Sequence, residues 1–441
     1  MSEPDARRPR LWAAGCAAVL FAAVAGVLAA TTPWNPLPGA VPGGRVRPDS
    51  ALDFSSAELA RARAFDAAIN PPAYASLLLG LAVVLVLGLT PLGARLLRWA
   101  TARVRRWPLR VALAVVVLTT LLRLVSLPFG IWSHGTLRDY GLSTQALPAW
   151  LADQAKSLAV TWVVWTVGMV LLFALLRRFP RYWWTGAALG AFALVVAGSF
   201  AYPVVVEPMF NDFRPLPAGT LRTDLMSMAA RDGVPVKDVL VADASRRTTA
   251  LNAYVSGFGS TRRIVVYDTL LSSPPPQIRS VVAHELGHAK RGDVLYGTLV
   301  GALAVAGGVC LLGLLLSSPR LRRRAGLDPG DGGRGTADPR AVALVLALVV
   351  VAMHVAAPLE NLVSRRIEAR ADAHALDLTG DPGTFAEMQH ELAVRNIDDP
   401  GPNALERLLW MTHPSGAERI AMARTWARMH RHSEPPPLAG R

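Results

Sequence analysis

The segment His284-Glu285-Leu286-Gly287-His288 carries the most specific chemistry in the chain. Histidines four residues apart on a helix share one face, so both imidazoles can reach a single ion. Glu285, about 100° round the helix, can address a water on that ion. Zinc suits neutral imidazole, and with one coordination position left open it lowers the pKa of a bound water to about 7. Glu285 would accept that water's proton and pass it to a leaving amine. The spacing therefore predicts hydrolysis at one Zn2+ per chain, with His284 and His288 as ligands and Glu285 as general base.

A catalytic zinc takes three protein ligands, so another acid or histidine has to complete the set. Glu368-Ala369-Arg370-Ala371-Asp372 supplies Glu368, with Asp372 one turn on and on the same helical face. From there Asp372 could fix the tautomer of a ligand imidazole. The same spacing fits a surface charge pair with Arg365 or Arg370 equally well. Glu360 and His374 compete for the ligand role.

These groups need elements to hold them. Pro274-Pro275-Pro276 breaks the chain, and a helix then starts near Gln277 and carries Val281, Val282, His284, Glu285 and His288 before Gly292 can end it. Upstream, Thr220 to Arg231 reads as an amphipathic helix, while Val239-Leu240-Val241-Ala242 and Arg263-Ile264-Val265-Val266-Tyr267 read as strands. These belong to two polar regions, roughly 204–294 and 359–441, which together are large enough to bury a core.

The rest of the chain is a membrane body. Of 441 residues, 52% are hydrophobic and 18% charged, and the apolar residues lie in long blocks. A hydrocarbon core about 30 Å thick takes roughly 20 apolar residues in a helix, because each backbone polar group must be satisfied internally. Seven stretches qualify, near 11–31, 74–94, 111–131, 158–176, 184–203, 295–316 and 340–358. The first follows Arg7, Arg8 and Arg10 and could be a cleaved signal peptide. Its length and the six spans after it favour a retained span. The expected organisation is an amino-terminal membrane region with five spans at 1–203 and the first part of a hydrolase domain at 204–294. Two spans joined by an Arg-rich loop follow at 295–358, and a second domain part with the third ligand and a Pro-rich tail fills 359–441. Loop 317–340 and tail 433–441 read as solvated and mobile.

The formal charge of +14 resides mostly in arginines beside the apolar blocks, which are topology signals and exclude nucleic acid as a partner. Cys16 and Cys310 both lie in apolar blocks, so there is neither a disulfide framework nor a cysteine metal site.

Further segments appear in a telling order: Leu127-Pro128-Phe129, Arg138-Asp139-Tyr140-Gly141-Leu142-Ser143 with Lys156, and Pro208-Met209-Phe210-Asn211-Asp212-Phe213. Then come Asp243-Ala244-Ser245, Asn252-Ala253-Tyr254 with Gly257, Arg263 through Leu270, and finally His413-Pro414 with Arg419. Over most of its length the chain resembles the integral-membrane zinc endopeptidases of the CAAX prenyl protease 1 type, with their bacterial homologues and the related heat-shock membrane proteases. The resemblance implies a mainly α fold: a seven-span transmembrane helical bundle enclosing a chamber. At the chamber's mouth it places a gluzincin-like zinc metalloprotease domain with a small β element.

The resemblance also implies roles. Glu368 becomes the third zinc ligand, with Asp372 behind a ligand imidazole. Asn252, Ala253 and Tyr254 lie where a peptide substrate would add as a strand, although turn and core positions are the alternative. Arg419 is associated with the active site and substrate. His413 could position or neutralise an oxyanion, whereas a lone His before Pro is otherwise a loop residue. Eukaryotic members often carry an aromatic residue and another histidine after the zinc pattern. This chain reads Ala289-Lys290-Arg291-Gly292-Asp293 there, closer to bacterial relatives.

The implied partners are the lipid bilayer and a polypeptide substrate. A prenylated CAAX-type carboxy terminus is the family expectation, and a damaged membrane protein or a secreted peptide is equally compatible. A non-enzymatic seven-span receptor or transporter would have no need for His284, Glu285, His288 and Glu368 together. Short segments on one side of the membrane hold 18 Arg and Lys, against 6 on the other. That places the amino terminus of a multi-pass cell-membrane protein in the cytoplasm and the zinc domain outside, whereas the eukaryotic relatives are thought to face the cytosol.

Overall fold

The computed structural model describes residues 3–257, 259–327 and 335–440. In chain order the helices that matter here begin with α1 (Glu3–Thr31), α2 (Ser56–Leu89), α3 (Trp107–Asp139), α4 (Leu147–Arg178) and α5 (Trp183–Ala201). Then follow α6 (Thr220–Arg231), α7 (Pro275–Arg291), α8 (Asp293–Leu316), α9 (Val342–Thr379), α10 (Pro382–Asn396) and α11 (Gly416–His430). Among the described residues seven helices are long and apolar enough to cross a membrane: α1 to α5, α8 and α9.

Six of the seven close a ring. α8 packs on α5, α5 on α4, α4 on α3, α3 on α2, α2 on α9, and α9 returns to α8, while α1 lies against α8. Small residues draw two of its members close, since a Cβ added at Gly88 on α2 would sit 2.2 Å from the Cβ of Ala347 on α9.

The expected end of the seventh span at 358 is not an end. Apolar residues thin out there, but the backbone continues through Pro358 as one helix of 38 residues, about 57 Å at 1.5 Å per residue. Its far half projects beyond a bilayer core of about 30 Å and delivers Glu368 and Asp372 to α7.

The polar domain carries a four-stranded sheet of β1 (Phe213–Pro215), β2 (Asp238–Ala242), β3 (Ala253–Ser256) and β4 (Arg263–Tyr267), in the order β1-β2-β4-β3. β2 and β4 pair in parallel and the outer strands antiparallel, leaving β3 at an edge. Val239, Ala253, Ile264 and Val266 from one face join Val282 and Leu286 of α7 and Phe385 of α10 in one core. α6 and β4 match their expected limits. α7 starts at Pro275, because proline costs nothing in a first helical turn, where no intrahelical N–H bond is made.

This domain is built from more than the two expected pieces. The loop after α1 contributes Leu37 and Phe54 to its core, and buried Asp53 forms a two-pronged ion pair with buried Arg424 of α11, one contact being 2.8 Å. The loop after α3 joins through Ser143, bridged to Thr248, and Thr144 Oγ1, which donates to Ser245 O at 2.8 Å. Both loops hold few basic residues, and both lie on the domain's side.

The carboxy-terminal tail, expected to be solvated, is docked instead. Leu438 is buried in the same core, the Pro435 carbonyl accepts from Arg424 Nε at 2.9 Å, and Ala439 N donates to Leu52 O. Proline removes backbone donors there, and the arginine supplies the missing partners. The Arg-rich loop also differs from expectation: it forms a short helix at Pro319–Arg324 and buries Leu327 and Arg340. Residues 328–334, in its Gly/Asp-rich part, lie outside the described residues.

Candidate metal centre

α7 is amphipathic, and its core face, including Ile278, Val282, Ala283 and Leu286, is fully buried. This anchors the helix so that His284, Glu285 and His288 face α9. Gly287 lets the two helices approach closely, as an added Cβ would lie 3.1 Å from the Cβ of His374. Gly292 ends α7 in the left-handed region, with φ 67°.

Three donor groups converge. His284 Nε2 lies 3.2 Å from His288 Nε2 and 3.1 Å from Glu368 Oε2, and His288 Nε2 lies 3.5 Å from Glu368 Oε1. Ligands about 2.0–2.2 Å from a tetrahedral zinc stand roughly 3.4 Å apart. The donor types and spacings therefore fit one such ion, and among the described residues this is the group with histidines that could hold one. Three carboxylates, Asp66, Asp399 and Glu406, form a separate group without imidazole.

Each imidazole has a carboxylate behind it. His284 Nδ1 lies 2.8 Å from Oδ1 of Asp372, which is wholly buried and takes Arg419 Nε on its other oxygen at 2.9 Å. His288 Nδ1 lies 2.9 Å from Asp293 Oδ2, and Arg370 holds the other oxygen. Burial works against a charged imidazole at both positions, but the hydrogen-bonded carboxylates outweigh it. They raise the pKa of His284 and push that of His288 up to about 10.

The competing ligands fall away from this centre. Glu360 is exposed two turns earlier on α9, and His374 Nε2 pairs with Asp232 at 2.9 Å. Nor do the arginines make a simple surface pair. Arg370 goes to Asp293, and Arg365 donates to the carbonyls of Arg407 and Met411. Asp293 and Arg370 are the neighbours whose places were not foreseen. A sharp glycine turn followed by an acid, five residues past His288, was the available signal.

A cavity of about 770 Å³ opens beside the centre, lined by His284, Glu285, Asn252, His413 and Arg419. Burial raises the Glu285 carboxyl above the usual carboxylate range, against the pull of both imidazoles. His413, half exposed, sets Nε2 3.2 Å from Glu368 Oε2. Arg419 borders the cavity, but its guanidinium is committed to Asp372. Asn252 lines the cavity, and Ala253 opens the edge strand β3 with its side chain in the core. Tyr254 turns its ring to the other sheet face, against Tyr267, so only its main chain is available on the free edge.

Comparison with known proteins gives a consistent result. Residues 215–427 match the model of peptidase family M48, and residues 50–212 match the model described as CAAX prenyl protease N-terminal, five membrane helices. The uncharacterized metalloprotease YhfN of Bacillus subtilis is 30% identical over 389 residues, covering 88% of this chain and 90% of that protein. CAAX prenyl protease 1 of Saccharomyces cerevisiae is 27% identical, with 69% and 70% covered. The crystal structure of S. mikatae Ste24p superposes with a TM-score of 0.73 at 22% identity, covering 94% of this chain and 98% of that one.

Proposed function

We propose, for a chain that belongs to peptidase family M48 and carries that family's five-helix membrane region, that one zinc ion on His284, His288 and Glu368 serves the hydrolysis of internal peptide bonds. Membership makes the chain a membrane metallopeptidase. The observation that carries the metal assignment is the convergence of two imidazole Nε2 atoms and one carboxylate at 3.1 to 3.5 Å.

Zinc, when bound, supplies Lewis acidity that acidifies a coordinated water and polarises the scissile carbonyl. Glu285 acts as general base: its carboxylate takes the attacking water's proton and returns it to the leaving nitrogen, a task that a raised pKa suits. His413 is placed to donate to the developing oxyanion. Asp372, braced by Arg419, keeps the Nδ1 proton of His284 in place so that its Nε2 faces the centre. The substrate main chain adds to the free edge of β3 at Ala253 and Tyr254, beside Asn252.

The substrate is a membrane-associated polypeptide, and the CAAX prenyl protease 1 relatives point to a prenylated carboxy terminus. The site faces the extracytoplasmic side, because the basic segments lie at the opposite end of the spans. A reporter fused after residue 441 tests the side, and reporter activity in the cytoplasm would reverse it. Purified protein, assayed for metal and for cleavage of a farnesylated CAAX peptide beside its unprenylated twin, tests the rest. One zinc per chain and preference for the farnesylated peptide are expected. Equal cleavage of both would remove the prenyl requirement, and cleavage of neither, nor of casein, would remove the endopeptidase.

A further inference from the structure

Each ligand imidazole has an acid behind it, and each acid has an arginine. The pair behind His288 joins three elements: His288 lies in the last turn of α7, Asp293 opens α8, and Arg370 lies two residues after Glu368 on α9. Asp293 Oδ2 stands 2.9 Å from His288 Nδ1, and its Oδ1 takes Arg370 Nη2 at 2.5 Å. Asp293 is 11% exposed and Arg370 25%. An acid at the start of a helix commonly caps it, but here α8 has no side-chain cap, and both carboxylate oxygens go to side chains. The turn through Gly292 swings Asp293 back onto the imidazole.

We propose that Asp293, held by Arg370, is a positioning residue of the metal site. Its carboxylate accepts the Nδ1 proton of His288, which fixes the Nε2 lone pair toward His284 and Glu368 and sets the ring's orientation. Arg370 ties that carboxylate to the helix that carries Glu368, so the ligands of α7 and α9 keep one geometry. The role rests on the reading of His288 as a zinc ligand.

The test is zinc affinity of the full chain in detergent, measured by chelator competition, with the visible spectrum of the cobalt-substituted protein beside it. Asp293→Ala is expected to weaken zinc about 10- to 100-fold and to shift the cobalt bands. Asp293→Asn, which still accepts one hydrogen bond, recovers part of that loss. Arg370→Met gives a smaller loss in the same direction, and the double variant loses less than the two single losses combined, as residues acting through one contact do. Asp224→Asn, in the surface pair with Arg279, leaves both readouts unchanged.

Wild-type affinity and an unshifted cobalt spectrum in folded Asp293→Ala would overturn the proposal while leaving the ligands as assigned. Should that variant not fold, wild-type affinity in Arg370→Met would overturn it equally. A wild-type chain that takes up no zinc, or a His288→Ala chain that binds it normally, would instead sink the ligand assignment.

Discussion

Asp372 Oδ1 lies 2.8 Å from His284 Nδ1 at a position closed to solvent, and Arg419 occupies the same carboxylate from the other side. Removing the acid strands a buried cation and frees the ring. Asp372→Ala should therefore lower stability by about 3–5 kcal/mol and weaken zinc about 10- to 100-fold. Chemical denaturation and chelator competition check the two effects. Loss of neither would mean that Asp372 does not hold the ring.

Gly287 separates α7 from His374 by less than a side chain needs, with 3.1 Å left to the His374 Cβ. Gly287→Val should push α7 off α9, costing about 1–3 kcal/mol in overpacking and spreading the ligands. A lower midpoint of thermal unfolding together with weaker zinc binding is the expected result, and an unchanged zinc affinity would count against the close approach.

Asp53 and Arg424 tie the first extramembrane loop to α11, both nearly inaccessible. Breaking the pair with Asp53→Ala should cost about 3–5 kcal/mol, whereas replacing both members by apolar residues of similar volume should cost much less. Unfolding of the two variants in parallel separates these outcomes. Equal losses would show that the charges themselves are needed.

Protons must leave when metal enters. In the metal-free protein burial lowers the pKa of His288, but Asp293 and Glu368 outweigh it and push it to about 10, so the ring is protonated at pH 7. A metal ligand must be neutral, so binding at pH 7 releases at least one proton and affinity rises with pH up to about 10. Calorimetry in buffers of different ionisation enthalpy measures the release. A heat independent of buffer would contradict it.

α7 is legible because its signals are local: two histidines at helical spacing, prolines before and a glycine after. Glu368 and Asp372 were legible as a pair of the right types, but their spacing allowed a surface charge pair as well. Only the meeting of α9 with α7 separates the two. That α9 continues through Pro358 was hidden, because the apolar signal stops where the helix leaves the membrane while the backbone hydrogen bonds do not. Asp293 was hidden for a different reason. It lies five residues beyond His288, off any helical face, and reaches the ring only through the turn at Gly292. The docking of Leu37, Phe54 and Leu438 into one core joins the two ends of the chain, and no local pattern reports contacts of that range.

The role proposed for Glu285 is to move the proton at a metal held by its neighbours. The most direct test is Glu285→Gln in purified, reconstituted protein, with zinc content and peptide cleavage measured on the same sample. One zinc per chain with cleavage reduced about 10²- to 10⁴-fold is the predicted result. Cleavage at the wild-type rate with zinc in place would contradict it.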